Sequence, residues 1–434
     1  MGPESRNAEL DGLDLGDRFA RVLGVPEGQG ARAARLAVTS FFLSAALAAL
    51  KTAQAGVFLE ASSRSMIPWA YAGSALLLMA LSSVAVIFAT RLRVGALTRA
   101  LLVVAIVSLL VLRGALALEL SFVPFAAYVV IEALSGVLLI QVWSVVSAAT
   151  DARSARRLLP VAGIGAGLAW TLSAVAVRPL VHLAGAEALI LVGVVFLLCT
   201  WACVRLVDQR DIADRRMQRR RSGFVRDWLS GFAFVARSGL MRLMTALAMI
   251  ALVLEQVMDF HLMATAREEL GDAESISAFF GTYYGITSAI GLLLLAGFSS
   301  RVMAALGAGR ALVVTPLTLA VVGGLAAVLP GLAGAVALRG AGRVLKQSLW
   351  SSAVEQMQTP LPVLRRSQAR AATRGVLAPG AYLLSALALA ALPAAFPTRW
   401  LALVSAVVAS IMCLIIWRFA RRTYLSSLRR AIDD

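Results

Sequence analysis

Long uninterrupted apolar segments leave few folds open to this chain. Runs of about 20 apolar residues, each long enough as a helix to cross about 30 Å of hydrocarbon, recur along the sequence. Inside a bilayer every backbone polar group must be satisfied within the protein, so such runs are expected to be helices. They predict an all-α integral membrane protein with twelve transmembrane helices, near 36–59, 66–90, 95–118, 123–148, 158–181, 184–206, 240–262, 276–298, 310–329, 331–356, 374–394 and 398–418.

The overall composition excludes a soluble globular protein. Hydrophobic residues make up 60% of the chain and charged residues 15%, with a mean hydropathy of +0.82. A soluble domain carries about 45–50% apolar and about 25% charged residues. The protein is therefore expected to be a multi-pass membrane protein.

The distribution of basic residues predicts the orientation. The chain has 41 Lys and Arg against 24 Asp and Glu, a net charge of +17. With both termini in the cytoplasm of a bacterial cell and the spans in the inner membrane, only Arg64, Arg178, Arg267 and Arg399 fall in outer loops, as the positive-inside rule requires. We interpret the positive charge as topology and as contact with anionic lipids on the cytoplasmic side, and not as nucleic-acid binding.

The longest interior break divides the spans six and six. This predicts a cytoplasmic N-terminal segment at 1–34, a first six-helix bundle at 35–206, a basic cytoplasmic linker at 207–239, a second six-helix bundle at 240–418 and a cytoplasmic tail at 419–434. A monomer is expected.

Charged residues enter the apolar runs mainly on spans 1, 4, 7 and 10. In a two-bundle transporter of the major facilitator type these four spans line the central cavity, and substrate binds near the midplane. The pattern therefore predicts that fold. The residues are Lys51, Glu132, Glu255, Asp259, Arg339, Arg343 and Lys346, with Arg113 near the outer end of span 3 as an addition.

Spacing places these charges on common helix faces. Glu255 and Asp259 are four residues apart, and Arg339, Arg343 and Lys346 follow one another at intervals of four and three. A charge facing lipid at the helix centre costs at least about 2.5–3.5 kcal/mol, so these stripes are expected to face a cavity or each other.

The charge inventory allows three interpretations. Counted with Arg113, the five basic groups exceed the three carboxylates by two, which favours binding of an anionic small-molecule substrate by Lys51, Glu132, Arg339, Arg343 and Lys346. The charges could instead be structural ion pairs between the bundles. In the third interpretation the carboxylates relay protons, and Glu255 and Asp259 then couple or gate transport. No catalytic motif, metal-ligand cluster or cofactor motif accompanies them, so neither an enzyme nor a cofactor is predicted.

The two lysines of the chain both lie among these buried positions, at Lys51 and Lys346. An ammonium acts as a compact point charge on a phosphate, whereas a guanidinium is a planar fork. In span 8, Phe280 and Tyr284 share one face of the run FFGTYYG. A nucleotide base could stack there, although aromatic packing near the outer interface is the alternative.

Four stretches of the chain resemble the ATP/ADP translocase-like nucleotide transporters of the major facilitator superfamily. They are VWSVVSAATDARSARRLLPVAGIGAG, EQVMDFHLMATAREELGDAESISAFFGTYYG, SRVMAALGAGRALVVTPLTL and LKQSLWSSAVEQMQTPLPVLRRSQARA, within a resemblance that runs from Gly24 to Arg374. The resemblance implies transport by nucleotide exchange, with Lys51, Glu132 and Asp259 as the matching charges. It implies a further cation on span 10, either Arg343 or Lys346. Met263 stands where the family's motif on span 7 has a lysine.

Together these observations predict a secondary active transporter that moves an organic anion by alternating access, with nucleotides and phosphorylated metabolites as the first candidates. A proton-coupled exporter of another small solute is the alternative within transport. A membrane scaffold or sensor that transports nothing is the alternative from another class.

Overall fold

The computed structural model describes residues 29–89, 91–150, 155–208, 232–329, 331–358, 373, 377–393 and 396–420. The predicted N-terminal segment at 1–34, the linker at 207–239 and the tail at 419–434 lie mostly outside these residues. Within them the chain is helical throughout.

The first half of the chain forms six helices. They are α1 (Gly30–Ala61), α2 (Met66–Ala89), α3 (Val94–Leu116), α4 (Val123–Ala148), α5 (Ala155–Ala184) and α6 (Ala188–Val207). The turns that join α1 to α2 and α3 to α4 are short, so neighbouring helices run antiparallel.

The second half repeats this order after a short helix at 232–237. It contains α7 (Gly239–Leu270), α8 (Ala273–Gly307), α9 (Gly309–Val328), α10, α11 (Ala378–Ala390) and α12 (Thr398–Ile415). We use α10 for the continuous helical stretch made of Gly331–Leu345, a π-helical turn at Lys346–Trp350 and Ser351–Met357.

Ten of these helices are long and apolar enough to cross a membrane, within the part of the chain that the structure describes. Helices α10 and α11 lie where spans 10 and 11 are predicted. However, α10 carries three cations and a π turn, and α11 has only 13 residues. Twelve crossings therefore stay a prediction. Several helices also run past the predicted spans, α7 as far as Leu270, because hydropathy marks only the part of a helix that lies in hydrocarbon.

Local chemistry explains the tight turns of the second half. Gly271 ends α7 with φ 78°, a backbone conformation that glycine adopts without steric cost, and Asp272 follows directly as the N-cap of α8. The Asp272 carboxylate accepts a hydrogen bond from the backbone N–H of Ser275 at 2.8 Å, and this bond holds the pKa of Asp272 below its ordinary value. Gly307, at φ 72°, turns the chain from α8 into α9.

The helix contacts show that the two halves share one architecture. In the first half, α1 packs on α4, α5 and α6, α3 packs on α4 and α6, and α2 packs on α4. Adding six to each number gives the contacts of the second half: α7 packs on α10, α11 and α12, α9 packs on α10 and α12, and α8 packs on α10. The bundles meet mainly through α5 with α8, α2 with α11 and α1 with α8.

The buried cores differ between the two ends of the bundles. At the end where α1 terminates, one cluster joins both halves and includes Phe58 and Tyr128 from the first and Phe260, Phe280 and Leu401 from the second. Elsewhere the first bundle has its own core, and the second bundle has two larger clusters and a small one around Val235 and Met241. The bundles are thus closed against each other at one end, which is the end predicted to face outward.

Polar contacts reinforce this closed end. The Arg64 guanidinium, in the turn after α1, donates to the backbone carbonyl of Phe396 at 2.6 Å and lies 3.4 Å from the Glu268 carboxylate. From the other bundle, Arg267 donates to the backbone carbonyl of Ser62. Two of the four basic residues predicted for the outer side therefore hold the bundles together there.

The closely spaced glycines of α5 are predicted to allow tight helix packing, and two of the three do. A Cβ atom on Gly165 would lie 2.3 Å from the carbonyl oxygen of Ala37 on α1, and one on Gly167 would lie 2.6 Å from the Leu292 side chain on α8. Gly163 has open space beside it.

A glycine on α8 provides a test of the contact between the bundles. A Cβ on Gly285 would lie 2.5 Å from the backbone nitrogen of Ala174, so Gly285→Ala pushes α5 and α8 apart. We expect a loss of about 1–3 kcal/mol in the free energy of unfolding, as for an overpacked core. Gly297→Ala, on the same helix with nothing within 4 Å, is the control and should leave stability unchanged or slightly raised. Equal thermal unfolding midpoints for the two variants would contradict the tight contact.

Candidate functional site

A cavity of about 380 Å³ lies between the two bundles and is lined by both of them. Its walls come from α1, α2, α4 and α5 on one side and from α7, α8, α10 and α11 on the other. Its volume falls in the range of small-molecule sites, about 300–1,000 Å³. Six of the seven predicted site charges lie on its walls: Lys51, Glu132, Glu255, Asp259, Arg339 and Arg343.

The first bundle contributes one ion pair to this cavity. The Lys51 ammonium on α1 donates to Oε2 of Glu132 on α4, and the amide Nε2 of Gln54 donates to the same oxygen at 2.9 Å. Lys51 and Gln54 lie three residues apart on α1, so they reach the carboxylate from one face. Both charged side chains keep part of their surface exposed, 24% for Lys51 and 36% for Glu132. The pair therefore faces the cavity.

The second bundle contributes a denser cluster. Arg339 Nε donates to Oδ1 of Asp259 at 2.9 Å, and its terminal nitrogen lies 3.3 Å from Oε1 of Glu255. The Lys346 ammonium donates to the other oxygen of Glu255 at 2.5 Å. Because Glu255 and Asp259 share a face of α7 and the cations share a face of α10, the two stripes meet along their length. These four residues are thus paired, but within the second bundle and not between the bundles as the pairing interpretation has it.

Within the described part of the chain, one hydrogen bond joins this cluster to the first bundle across the cavity. The hydroxyl of Tyr71 on α2 donates to Oδ2 of Asp259 at 3.2 Å. Tyr71 is 7% exposed, and its oxygen also lies 3.4 Å from the sulfur of Met263. The Asp259 carboxylate therefore accepts from Arg339 of its own bundle and from Tyr71 of the other. Any movement of one bundle relative to the other changes its hydrogen bonding.

Arg343 has a different environment from the other three cations. Its guanidinium carbon lies 5.0 Å from the ring centre of Trp170 on α5 and 4.7 Å from that of Tyr284 on α8, which is within cation–π range for both. Among the described residues no carboxylate lies within 4 Å of it, and its buried Nε has no hydrogen-bond partner. Arg343 is thus a cation held between two aromatic rings, one from each bundle.

The structure corrects the predicted charge inventory at Arg113. Its guanidinium lies 3.0 Å from the carboxylate of Glu187, at the junction of α3 with the start of α6, and it does not line the central cavity. Sequence could not show this, because Arg113 lies at the outer end of its span, where a loop carboxylate is within reach. Four cations and three carboxylates are left, so the excess is one positive charge and not two.

Two further predicted residues lie outside the cavity walls. Lys346 points into a second cavity inside the second bundle, although it shares Glu255 with Arg339. The six charges that line the central cavity therefore balance, and Lys346 provides the excess. Phe280 is fully buried in the aromatic cluster at the closed end, so only Tyr284 of the predicted stacking pair borders the cavity.

Sequence reasoning missed four aromatic residues of the cavity. They are Tyr71, Tyr128, Trp170 and Tyr382. Each lies in an apolar run on α2, α4, α5 or α11, and an aromatic ring there is indistinguishable by pattern from one that faces lipid. Of the four, Trp170 alone could have been predicted from the sequence, because it follows the closely spaced glycines that bring α5 near α1 and α8.

The Lys51–Glu132 pair allows a direct test. Lys51→Ala leaves Glu132 with Gln54 alone, and we expect it to cost about 1–3 kcal/mol of stability and to weaken substrate binding. This is less than the 3–5 kcal/mol for a fully buried pair, because Glu132 is 36% exposed. Lys51→Arg keeps the charge but misplaces it, so it should fold and turn over slowly.

The double variant Lys51→Ala with Glu132→Gln removes both charges and is the control for stability. It should recover most of the lost unfolding free energy without recovering transport into liposomes. Normal transport by a folded Lys51→Ala variant would show that Lys51 is a structural partner only.

No known family profile matches this sequence, and no curated protein matches it. Several solved structures have a fold similar to that of this chain. A mutant form of nucleoside transporter NupG superposes with a TM-score of 0.67 at 12% identity, covering 89% of this chain and 98% of that chain. Peptide transporter POT in complex with sulfate gives 0.62 at 13% identity, covering 90% and 95%.

The xylose transporter XylE from E. coli, in an inward open conformation, gives a TM-score of 0.59 at 10% identity and covers 90% of this chain and 95% of that chain. At such low identity these likenesses establish the fold and leave substrate open. The chain is therefore an all-α protein with the two-bundle fold of major facilitator transporters.

Proposed function

We propose that the protein is a secondary active transporter that moves an organic anion across the bacterial inner membrane by alternating access. Nucleotides and phosphorylated metabolites are the first candidates for the anion. The protein works as a monomer with both termini in the cytoplasm, and it contacts anionic lipids on that side.

The environment of Arg343 carries this proposal. Each carboxylate of the cluster is already engaged by another cation: Glu132 by Lys51, Asp259 by Arg339, and Glu255 by Arg339 and Lys346. Arg343 is left with aromatic partners, in a cavity that both bundles line. Keeping a charge away from bulk water without a counter-charge is costly, and an anionic ligand offsets that cost.

The aromatic walls support a substrate with a planar group. Trp170 and Tyr284 flank Arg343, and the rings of Tyr71, Tyr128 and Tyr382 border the same space. Aromatic faces stack with nucleotide bases at about 1–3 kcal/mol per base. A phosphate at Arg343 and a base among these rings would together use both features of the cavity.

Alternating access is supported by how the bundles meet. They share a core and polar contacts at one end and have separate cores elsewhere. Related folds transport by rocking one bundle against the other around a site near the midplane. Tyr71 donating to Asp259 across the interface is a contact that such rocking would break.

The family resemblance supports the nucleotide class, and the structure adds one qualification. Lys51, Glu132 and Asp259, the charges that match the ATP/ADP translocase-like family, all line the cavity. The family's lysine on span 7 is replaced by Met263, which also lines it. We therefore propose anion transport without specifying ATP-for-ADP exchange. Among the similar structures, NupG is a nucleoside transporter.

The experiment is a ligand panel on the purified protein. A ligand that binds only the folded state raises the unfolding temperature with its concentration. We expect stabilisation by nucleotides or other phosphorylated metabolites, none by the matching neutral nucleosides, and uptake of the stabilising ligand into liposomes. Stabilisation by neutral solutes alone, with uptake driven by a proton gradient, would favour the proton-coupled exporter. No response to any member would favour the scaffold or sensor.

A further inference from the structure

The second bundle contains a cavity of about 420 Å³ that lies apart from the space between the bundles. It is bounded by α7, α9, α10 and α12, with Thr373 and Ala378 on its wall near the start of α11, and no described residue of the first bundle lines it. The two larger core clusters of this bundle both contribute to its walls, one around Met244 and Leu312 and one around Met258 and Leu319. The first bundle, built on the same helix contacts, has one continuous core.

A recess of this size within one helical bundle is unusual, even one that opens beside Lys346. Interiors are packed as densely as organic crystals and leave few voids larger than a water molecule, since empty space forfeits dispersion contacts. The second bundle could have been filled with larger side chains, as the first one is. The cavity instead persists where two core clusters could join, and this points to a molecule that occupies it.

The walls indicate what kind of molecule fits. Five methionines line the cavity: Met241, Met244, Met249, Met258 and Met412. Methionine side chains adapt to different shapes, and their sulfur atoms make favourable contacts with aromatic rings. The charged groups on the walls balance, two of each sign: Arg339, Lys346, Glu255 and Glu355. A neutral, aromatic ligand of drug-like size suits such a space.

One polar group inside the cavity has no partner. The hydroxyl oxygen of Thr315, on a residue that is 6% exposed, makes no hydrogen bond among the described residues. The other threonine of α9 to which the structure gives a bond, Thr318, donates to the carbonyl four residues earlier. Pro316 follows Thr315 and also lines the cavity. A buried hydroxyl without a partner is destabilising, and a ligand with one hydrogen-bonding group would offset that cost.

We propose that this cavity is a binding site for a neutral aromatic molecule that carries one hydrogen-bonding group, entering beside Lys346. The Lys346 side chain is 48% exposed and forms part of the wall, so that side of the cavity is open. Glu255 and Arg339 line both this cavity and the central one. A ligand bound here would lie between α7 and the helices α9 and α10, and it would inhibit the movement of the helices that carry the central charges.

The test uses 1-naphthol and naphthalene as probes of the purified full-length protein, measured by equilibrium binding. We expect saturable binding of both, weakened at least tenfold by Ala248→Phe, which fills the cavity. Ala246→Phe, a matched change at an exposed position of the same helix, should bind as the parent does. Thr315→Val should weaken 1-naphthol about fivefold and leave naphthalene unchanged.

A second measurement tests the proposal even if the Ala248→Phe variant does not fold. Thr315→Cys should react with a neutral maleimide above the parent's background labelling, and 1-naphthol should slow that reaction. Binding that does not saturate, or that Ala248→Phe leaves unchanged while 1-naphthol fails to protect position 315, would overturn the proposal. Both measurements are made without substrate, so their outcome does not depend on the proposed transport of anions.

Discussion

Arg343→Gln is expected to bind a nucleotide about 10- to 100-fold more weakly than the parent and to fold as the parent does. Hydrogen bonds to charged groups contribute about 1.5–3 kcal/mol. Among the residues that the structure describes, this variant removes the one cation of the cavity whose partners are aromatic rings. Stability should fall by less than about 2 kcal/mol, since only the contacts with Trp170 and Tyr284 are lost. Thermal shift titration measures both quantities on one sample.

Two arginine variants control this prediction. Arg343→Lys keeps the charge, loses the planar fork, and should retain part of the affinity. Arg113→Gln removes an arginine that pairs with Glu187 away from the cavity, so it should bind nucleotide as the parent does. If Arg343→Gln and Arg113→Gln bind equally well, the anion does not contact Arg343, and the proposed site is wrong.

Arg339→Met is expected to cause the largest loss of stability among the site variants, about 3–5 kcal/mol. Arg339 is 10% exposed and holds two carboxylates, Asp259 at 2.9 Å and Glu255 at 3.3 Å. Its removal leaves Asp259 with the Tyr71 hydroxyl as its one side-chain partner among the described residues, and an unpaired charge in a buried site is strongly destabilising. The free energy of unfolding in a fixed detergent is the measurement.

A charge-neutral double variant distinguishes electrostatics from packing. Arg339→Met combined with Asp259→Asn should recover most of the lost stability, because the orphaned carboxylate is gone. A double variant as unstable as Arg339→Met alone would show that packing of the arginine side chain dominates. Neither variant should transport if the cluster positions the helices that move.

The fold was predictable because a membrane allows only structures whose backbone polar groups are hydrogen-bonded within the protein. Apolar runs of helical length have to cross the membrane. The spans predicted for α1 to α9 and α12 coincide with helices that are long and apolar enough to do so. Charges inside those runs cannot face lipid, so their presence on spans 1, 4, 7 and 10 predicts which helices face the interior. Lys51, Glu132, Glu255, Asp259, Arg339 and Arg343 all lie on the cavity walls.

The pairing of those charges was not predictable, since it depends on distances between helices. Lys51 and Glu132 are 81 residues apart in the chain, and nothing in their local sequence joins them. Like the cavity charges, Arg113 lies inside an apolar run, yet it pairs with the carboxylate of Glu187 and not with a cavity residue. Depth along the helix decided that outcome, and apolar runs define depth only to within a turn or two.

The apolar runs and the charges inside them are enough to predict a helical membrane protein of two related halves with a charged interior, because lipid tolerates no other arrangement of these residues. They do not reveal that Arg343 lies between Trp170 and Tyr284, or that a methionine-lined cavity interrupts the second core. Those features arise where side chains of different helices meet, and such contacts depend on how far apart the helices pack and how each one is rotated.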